Sequence, residues 1–352
     1  MEYRTLGRSG CVVSHLALGT MTFGQETDET GAHEQLDRYA DAGGNLIDTA
    51  DVYSGTVSEE IIGRWLADRP ARVRDAMVIA SKGRFPTGED VNDLGLSARH
   101  LGRALDASLH RLGVDTIDLY QVHSFDPLTP IEETFRFLDD AVRAGKIRYV
   151  GLSNYTGWQL QKVVDRCEFR GWSVPVTLQP QYNLLVREIE WEIVPACEDN
   201  GLGLLPWSPL GGGWLTGKYS RDETPSGVTR LGEDPERGME AYSRRSALDR
   251  TWDTIDVVRA IAEDRGVSMA QVALAWVAQR PMVTSVILGA RTTEQLDDNL
   301  AAAGLRLDDD EMARLDGVSA PPVADYPYGA PGVAQRSRAL PASAGSDGDG
   351  QD

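Results

Sequence analysis

The feature that most limits the fold of this chain is an alternation repeated eight times along it. A short apolar run is followed by a longer stretch whose apolar residues recur at helical spacing. The apolar runs cover residues 15–19, 45–48, 77–81, 117–122, 147–152, 176–178, 203–205 and 283–288. Runs this short read as buried strands. A helix between consecutive strands is the usual crossover of a parallel sheet, since a parallel connection needs a dozen or more residues. No break in composition interrupts the pattern over 352 residues, which predicts an α/β chain folded as one (β/α)8 barrel rather than two domains.

Local signals place the helices. Thr27-Asp28-Glu29 opens one that stops at Gly43-Gly44, and Ser58 reads as the N-cap of the next, with Ile61, Ile62, Trp65 and Leu66 inward. Ser97 opens a helix with Leu101, Leu105, Leu109 and Leu112 on one face, and Pro130 opens another. Thr292-x-x-Gln295 and Asp308-x-x-Glu311 both have the form of a capping box. Residues 2–13 read as a hairpin turning at 7–10, placed to plug one end of the barrel. Residues 211–246, after the seventh strand, are too long for an ordinary loop, which predicts a functional or mobile segment. The barrel is expected to occupy 1–330, with 331–352, small, polar and rich in Pro and Gly, as a disordered tail.

Composition removes several function classes. A formal charge of −19 argues against a nucleic-acid backbone as partner, although an anionic small molecule needs only local donors. No apolar run is long enough to span a bilayer, and the N-terminus lacks the apolar core of a signal peptide. Cys11, Cys167 and Cys197 form no CxxC pair, which fits a reducing cytoplasm. His15, His33, His100, His110 and His123 show no metal-ligand spacing, so no metal is expected.

The chemistry is expected at one mouth of the barrel, where the strand ends carry Thr20, Asp48, Lys82, His123, Asn154, Gln179, Ser208 and Arg291. Asp48, Tyr53, Lys82 and His123 read as a proton-transfer set. A lysine beside a tyrosine favours the phenolate and should lower its pKa, while Asp48 keeps the lysine charged and oriented. His123 can donate a hydrogen bond to the oxygen that receives the proton.

These four residues and their surroundings resemble the tetrad of the aldo-keto reductases. The contexts are Asn-Leu-Ile-Asp-Thr-Ala-Asp-Val-Tyr (45–53), Ile-Ala-Ser-Lys-Gly (79–83) and Asp-Leu-Tyr-Gln-Val-His (118–123). Further matches are Gly-Lys-Ile-Arg-Tyr-Val-Gly-Leu-Ser-Asn (145–154), Leu-Gln-Pro-Gln-Tyr-Asn (178–183), Pro-Trp-Ser-Pro-Leu-Gly-Gly-Gly (206–213) and Leu-Gly-Ala-Arg-Thr-Thr-Glu-Gln-Leu (288–296). Each motif alone is weak; all of them in order, over residues 2–320, are specific. The nearest branch is the one of bacterial reductases that is also similar to potassium-channel beta subunits.

The resemblance implies a nicotinamide cofactor held without a Rossmann fold, and no GxGxxG with a ribose-binding acid occurs in this chain. By similarity, Ser153, Asn154 and Gln179 would hold the carboxamide, and Trp207 would stack on the nicotinamide. Gly19, Thr20, Met21 and Asp48 would line the adjoining ribose. Ser208, Pro209, Leu210, Gly212 and Lys218 would wrap the pyrophosphate, with Arg230 of the lid near a phosphate. Gly289, Arg291, Gln295 and Asn299 would hold the adenosine end. Arg291 just before a helix N-terminus suits a 2′-phosphate and so favours NADPH over NADH. Arg291 could instead pair with Glu294.

The reading is therefore an oxidoreductase that passes hydride to an aldehyde or ketone, such as a sugar or secondary-metabolite carbonyl, with Tyr53 as the general acid. Its partner would be a small-molecule carbonyl or alcohol, with the oligomeric state left open. Two other readings share the barrel: a non-catalytic or slow NADPH-binding regulatory module, and a Schiff-base lyase with Lys82 as nucleophile. Asp51, equally acidic, has no assigned role.

Overall fold

The computed structural model describes residues 1–227 and 229–338 and divides into two compact units, Met1–Ala320 and Pro321–Asp352. The first unit begins with an antiparallel hairpin, β1 (Tyr3–Thr5) and β2 (Val12–Ser14). Among its described residues, eight parallel strands follow: β3 (Leu16–Gly19), β4 (Leu46–Asp48), β5 (Val78–Gly83), β6 (Ile117–Val122), β7 (Ile147–Ser153), β8 (Thr177–Gln179), β9 (Gly203–Leu204) and β10 (Val286–Leu288). Each pairs with its neighbour in chain order, and β10 returns to pair with β3. The last seam is closed by backbone bonds from Leu204 N to the Met282 carbonyl (2.8 Å), from Thr284 N to the Leu204 carbonyl (2.9 Å) and from Ile287 N to the Pro206 carbonyl (3.0 Å). The strands thus form the expected (β/α)8 barrel of the TIM type.

The two-residue repeat of a strand sorts its side chains between two cores. Ala17, Leu46, Ala80, Leu119, Leu205 and Ile287 face inward and pack with Leu6 and Val13 of the hairpin. Their chain neighbours Leu16, Leu18, Ile47, Ile79 and Tyr120 face outward and pack under the helices. The hairpin therefore plugs the end at which the strands begin. Its turn runs so close to β8 and β9 that a Cβ on Gly7 (φ 53°) would strike the Val176 carbonyl and come within 2.8 Å of Gly203 N.

This layering positions the site. Two residues beyond Leu46, Ala80 and Leu119 on the same inward face come Asp48, Lys82 and Gln121, so the interior changes from apolar to polar toward the carboxyl ends of the strands.

Helix starts largely follow the sequence. Asp28, Ser97 and Ser268 accept bonds from backbone amides three residues on, at 2.9, 3.2 and 3.1 Å. Asp308 and Glu311 form a full capping box. Two local readings are corrected. Ser58 is not a cap: the helix begins at Val57, and the Ser58 hydroxyl donates instead to Thr20. Thr292 does cap through Gln295 N, but the Gln295 side chain accepts from Arg291 N (2.9 Å), one residue short of closing a box.

The long segment after β9 holds short turns of helix at Gly211–Thr216, Arg230–Glu233, Gly238–Glu240 and Tyr242–Ser246. In the second unit, a helix spans Ala330–Arg336 with a proline in its first turn, where disorder was expected from residue 331. The remainder of that expected tail, 339–352, lies outside the described residues.

Tyr39 ties the strand starts together. Its hydroxyl accepts from Leu46 N (3.0 Å), lies 2.8 Å from Ser14 Oγ and can donate to the Leu16 carbonyl at 2.8 Å, all fully buried. Tyr39→Phe is expected to lower stability by about 1–3 kcal/mol, because it strands buried partners rather than removing packing. Urea unfolding would read the shift in midpoint at unchanged slope.

Candidate active site

Three strand ends and one turn bring the proton-transfer set together. Lys82 is the penultimate residue of β5, and its side chain is fully buried. Its ammonium donates to Asp48 Oδ2 at 2.6 Å, to the Thr49 carbonyl at 2.9 Å and to Tyr53 Oη at 3.1 Å. Asp48 is satisfied on its other oxygen by two amides from further round the barrel, Gln121 Nε2 at 3.1 Å and Gln179 Nε2 at 2.8 Å. His123, one residue past β6, sets the edge of its ring against Tyr53, with centroids 5.8 Å apart at 76°.

Tyr53 is held by a sharp turn. Ser54, Gly55 and Thr56 all have positive φ (49°, 63° and 86°), and two of the three are not glycine. Two more non-glycine residues at the mouth, Asn154 (φ 56°) and Ser208 (φ 54°), share that left-handed conformation. Such residues cost free energy and persist where surrounding contacts over-determine them.

The electrostatics differ from expectation in one respect. Tyr53 was expected to be lowered by Lys82. Burial outweighs the ammonium, and Asp48 adds to it, so the phenol is raised above its ordinary value. For Lys82, burial acts downward, but Asp48 and Tyr53 prevail and its pKa rises. His123 is pushed down to about 2 by burial, with Lys82 and Arg84 adding to the effect. The imidazole is therefore neutral at ordinary pH. Its Nδ1 is buried without a hydrogen-bond partner among the described residues.

Of the residues expected to meet the nicotinamide, Ser153, Asn154, Gln179 and Trp207 form one connected edge. Asn154 Nδ2 donates to the His123 carbonyl (3.0 Å) and to Ser153 Oγ (3.1 Å), and its Oδ1 accepts from Trp207 Nε1 (3.1 Å). Thr20 is fully buried, with its hydroxyl donating to the Asp48 carbonyl (3.0 Å), whereas Met21 beside it is exposed. Gly19, the last residue of β3, packs so closely on β10 that a Cβ would lie 2.6 Å from Ile287.

At the root of the long segment, Ser208, Pro209, Leu210 and Gly212 lead into a turn that contains Gly211, Gly212 and Gly213, all at positive φ. Lys218 packs on it, 2.8 Å from where a Gly213 Cβ would stand, and Arg230 has a buried Nε without a hydrogen-bond partner among the described residues. Asn299 donates to the Gly289 carbonyl at 3.2 Å, and Gln295 accepts from Arg291 N. The Arg291 guanidinium pairs with Glu26 and Glu233, not with the Glu294 considered from the sequence.

Gln121 was missed. Its signal was the alternation Leu119-x-Gln121 on the inward face of β6, legible once the phase of that strand is assigned. Phe85 was also missed; its ring lies 4.6 Å from His123, edge-on. No sequence pattern marks it. Among the described residues, no group of three or more His, Cys, Asp and Glu side chains could hold a metal ion, and no helix is long and apolar enough to cross a membrane.

A profile of the aldo/keto reductase family matches residues 15–320. An uncharacterised oxidoreductase of Bacillus subtilis (strain 168), YrpG, is 37% identical over 335 residues, covering 93% of this chain and 98% of that protein. A probable voltage-gated potassium channel subunit beta of rice (Oryza sativa subsp. japonica) is 38% identical over 310 residues, 86% of this chain and 91% of its own. Versiconal hemiacetal acetate reductase of Aspergillus parasiticus is 34% identical over 344 residues, 90% of this chain and 96% of its own. The chain belongs to the aldo/keto reductase family, and is an NAD(P)H-dependent oxidoreductase of the class acting between C=O and CH–OH groups.

Behind the tetrad lies an acid with no partner. Asp51 is fully buried, neither carboxylate oxygen has a hydrogen-bond partner among the described residues, and its amide bonds the Lys82 carbonyl at 3.1 Å. Burial, then the neighbouring Glu59, push its pKa up to about 7, against Arg111 and Lys82. A carboxyl raised on folding favours the native state in its protonated form, and that advantage is lost as pH rises from about 4 to about 7. Asp51→Asn should therefore gain stability relative to the parent over this window, by about 1–3 kcal/mol at pH 8 compared with pH 4. Thermal unfolding of both proteins between pH 4 and 8 would show the difference growing with pH; a constant difference would mean that Asp51 does not titrate there.

Proposed function

We propose that this protein reduces an aldehyde or ketone with NADPH, with Tyr53 as the proton donor. The observation that carries the reading is the Lys82 ammonium, held by Asp48 at 2.6 Å and set 3.1 Å from the Tyr53 hydroxyl at the mouth of the barrel.

The surroundings suit a dinucleotide. Glycines without a Cβ line the root of the long segment, and Lys218, Arg230, Arg237 and Arg291 gather cations at its two flanks in a chain of net charge −19. Ser153, Asn154, Gln179 and Trp207 would hold the nicotinamide, with Gly19, Thr20, Met21 and Asp48 along the adjoining ribose. Ser208, Pro209, Leu210, Gly212, Lys218 and Arg230 would take the pyrophosphate, and Gly289, Arg291, Gln295 and Asn299 the adenosine. The bound nicotinamide supplies the hydride to the carbonyl carbon.

The remaining work falls to the chain's own residues. As negative charge develops on the carbonyl oxygen, Tyr53 Oη transfers its proton to it. The raised pKa of Tyr53 keeps that proton in place at neutral pH, and an alkoxide is basic enough to take it. The phenolate left behind is stabilised by the ammonium 3.1 Å away, and Asp48 fixes that ammonium in turn. A neutral His123, with Nδ1 turned into the protein, keeps Nε2 for the substrate oxygen.

The same contacts weaken the lyase reading. A Schiff base needs a free amine, whereas Lys82 has three acceptors and a raised pKa. Cys11, Cys167 and Cys197 are unpaired, which supports a reducing compartment such as the cytoplasm.

Tyr53→Phe should lower turnover of a carbonyl panel about 10²- to 10⁴-fold, the usual contribution of a general acid. NADPH binding, read by quenching of tryptophan fluorescence, should change little. Full activity in the variant, followed at the nicotinamide absorbance, would refute the assignment; tight binding with no turnover in the parent would favour a regulatory module.

A further inference from the structure

Arg291 already grips a pair of carboxylates. Its Nη1 donates to Glu233 Oε1 at 2.8 Å and its Nη2 to Glu233 Oε2 at 3.2 Å, a two-pronged pair. Nη2 also donates to Glu26 Oε1 at 3.0 Å, and that same oxygen accepts from Arg237 Nη1 at 3.0 Å. Glu233 and Arg237 lie on the long segment after β9; Glu26 lies in the turn beyond β3. The alternating chain Glu233–Arg291–Glu26–Arg237 therefore fastens that segment across the mouth.

The pairing is well formed for its position. The side chains of Arg291 and Glu26 are only 19% and 14% exposed, so water screens them partially. Glu233 is more open at 43%, and the hydrogen bond from Arg291 holds its carboxyl below the usual range, so it is ionised at neutral pH. A second carboxylate of the same segment also accepts hydrogen bonds from groups at the mouth. Glu240, almost fully buried, accepts from Ser208 Oγ and from Gln181 Nε2 (3.1 Å), with Arg230 Nε 3.9 Å away. Two acids of one segment thus rest on groups assigned to the phosphates of a dinucleotide.

A guanidinium fork fits a carboxylate and a phosphate by the same two parallel hydrogen bonds, so the two are rivals for it. We propose that Glu233 is a built-in competitor for Arg291 and sets how strongly this chain prefers a 2′-phosphorylated nicotinamide dinucleotide over the unphosphorylated one. The inference rests on the assignment of Arg291 to the adenosine end. A 2′-phosphate displaces Glu233 and frees that end of the segment; a bare 2′-hydroxyl has no charge with which to do so. Removing the Glu233 charge acts twice in the same direction, because it frees the fork and removes repulsion toward the phosphate.

The test uses two fragments that differ only in the contested group, adenosine 2′,5′-bisphosphate and adenosine 5′-monophosphate. Their binding to the wild-type chain, Glu233→Gln and Arg291→Ala is measured by calorimetry at fixed salt. Glu233→Gln is expected to tighten the bisphosphate about five- to tenfold and to leave the monophosphate within about twofold. Arg291→Ala should remove the preference for the bisphosphate. Equal tightening of both fragments, or none, in a chain whose wild type does prefer the bisphosphate would overturn the role of Glu233. A wild type that binds both alike, unchanged by Arg291→Ala, would show that the assignment of Arg291 itself is at fault, and the proposal would fall with it.

Discussion

The arrangement depends on one buried ion pair, Lys82 with Asp48. A lysine ammonium with no exposed surface is tolerable only if every donor finds an acceptor, because taking a charge out of water costs several kcal/mol even after relaxation. Asp48 Oδ2, the Thr49 carbonyl and Tyr53 Oη meet that requirement. Asp48 carries the same obligation, and Gln121 and Gln179 meet it from β6 and β8. A pair that begins between neighbouring strands thus draws in four strands and the turn after β4. A slip of one residue in any of these strands would turn its polar group out of the interior, so the pair constrains register as well as chemistry.

The barrel can meet these demands because its interior is graded. At the lower level, Leu6 and Val13 of the hairpin fill the space between Ala17, Leu46, Ala80 and Leu119. One step up each strand, the same inward face carries Asp48, Lys82 and Gln121, all buried. The apolar layer excludes water from beneath the ion pair, which strengthens every charge interaction above it. The same exclusion raises Tyr53 and depresses His123. A raised tyrosine and a neutral histidine are two results of one dry environment acting on groups of opposite charge type.

Much of this was legible in the sequence because strands and caps are local. The alternation of apolar runs located the ends of the eight barrel strands to within three residues, and Asp308-x-x-Glu311 predicted its box correctly. What failed depended on distant partners. Ser58 has the look of a cap, but Thr20, 38 residues away, offers its hydroxyl a better-placed partner inside the barrel. The sign of the Tyr53 shift depends on how much protein surrounds the phenol, which no neighbouring residue reveals. Arg291 has an acid three residues on in sequence, yet pairs with two that are 265 and 58 residues away. That Asp48, Tyr53, Lys82 and His123 lie together was readable from motif order; the supporting Gln121 required the phase of β6.

Charge is handled differently at the two levels of the site. Around Lys82 the groups are buried, their partners lie on strand ends and the turn after β4, and the ammonium has an acceptor for each of its three protons while two amides satisfy Asp48. Around Arg291 the acids lie on a turn and on the long segment after β9, and Glu233 is open to water. A pair in the first position is costly to break, because the surviving charge is stranded; a pair in the second exchanges partners at little cost, since water can solvate what is released. The structure therefore separates a fixed part from an exchangeable one. The fixed part suits the repeated movement of a proton at one atom, where small displacements are penalised heavily. The exchangeable part suits the admission and release of an anionic molecule, which requires that no single contact be too strong to give up.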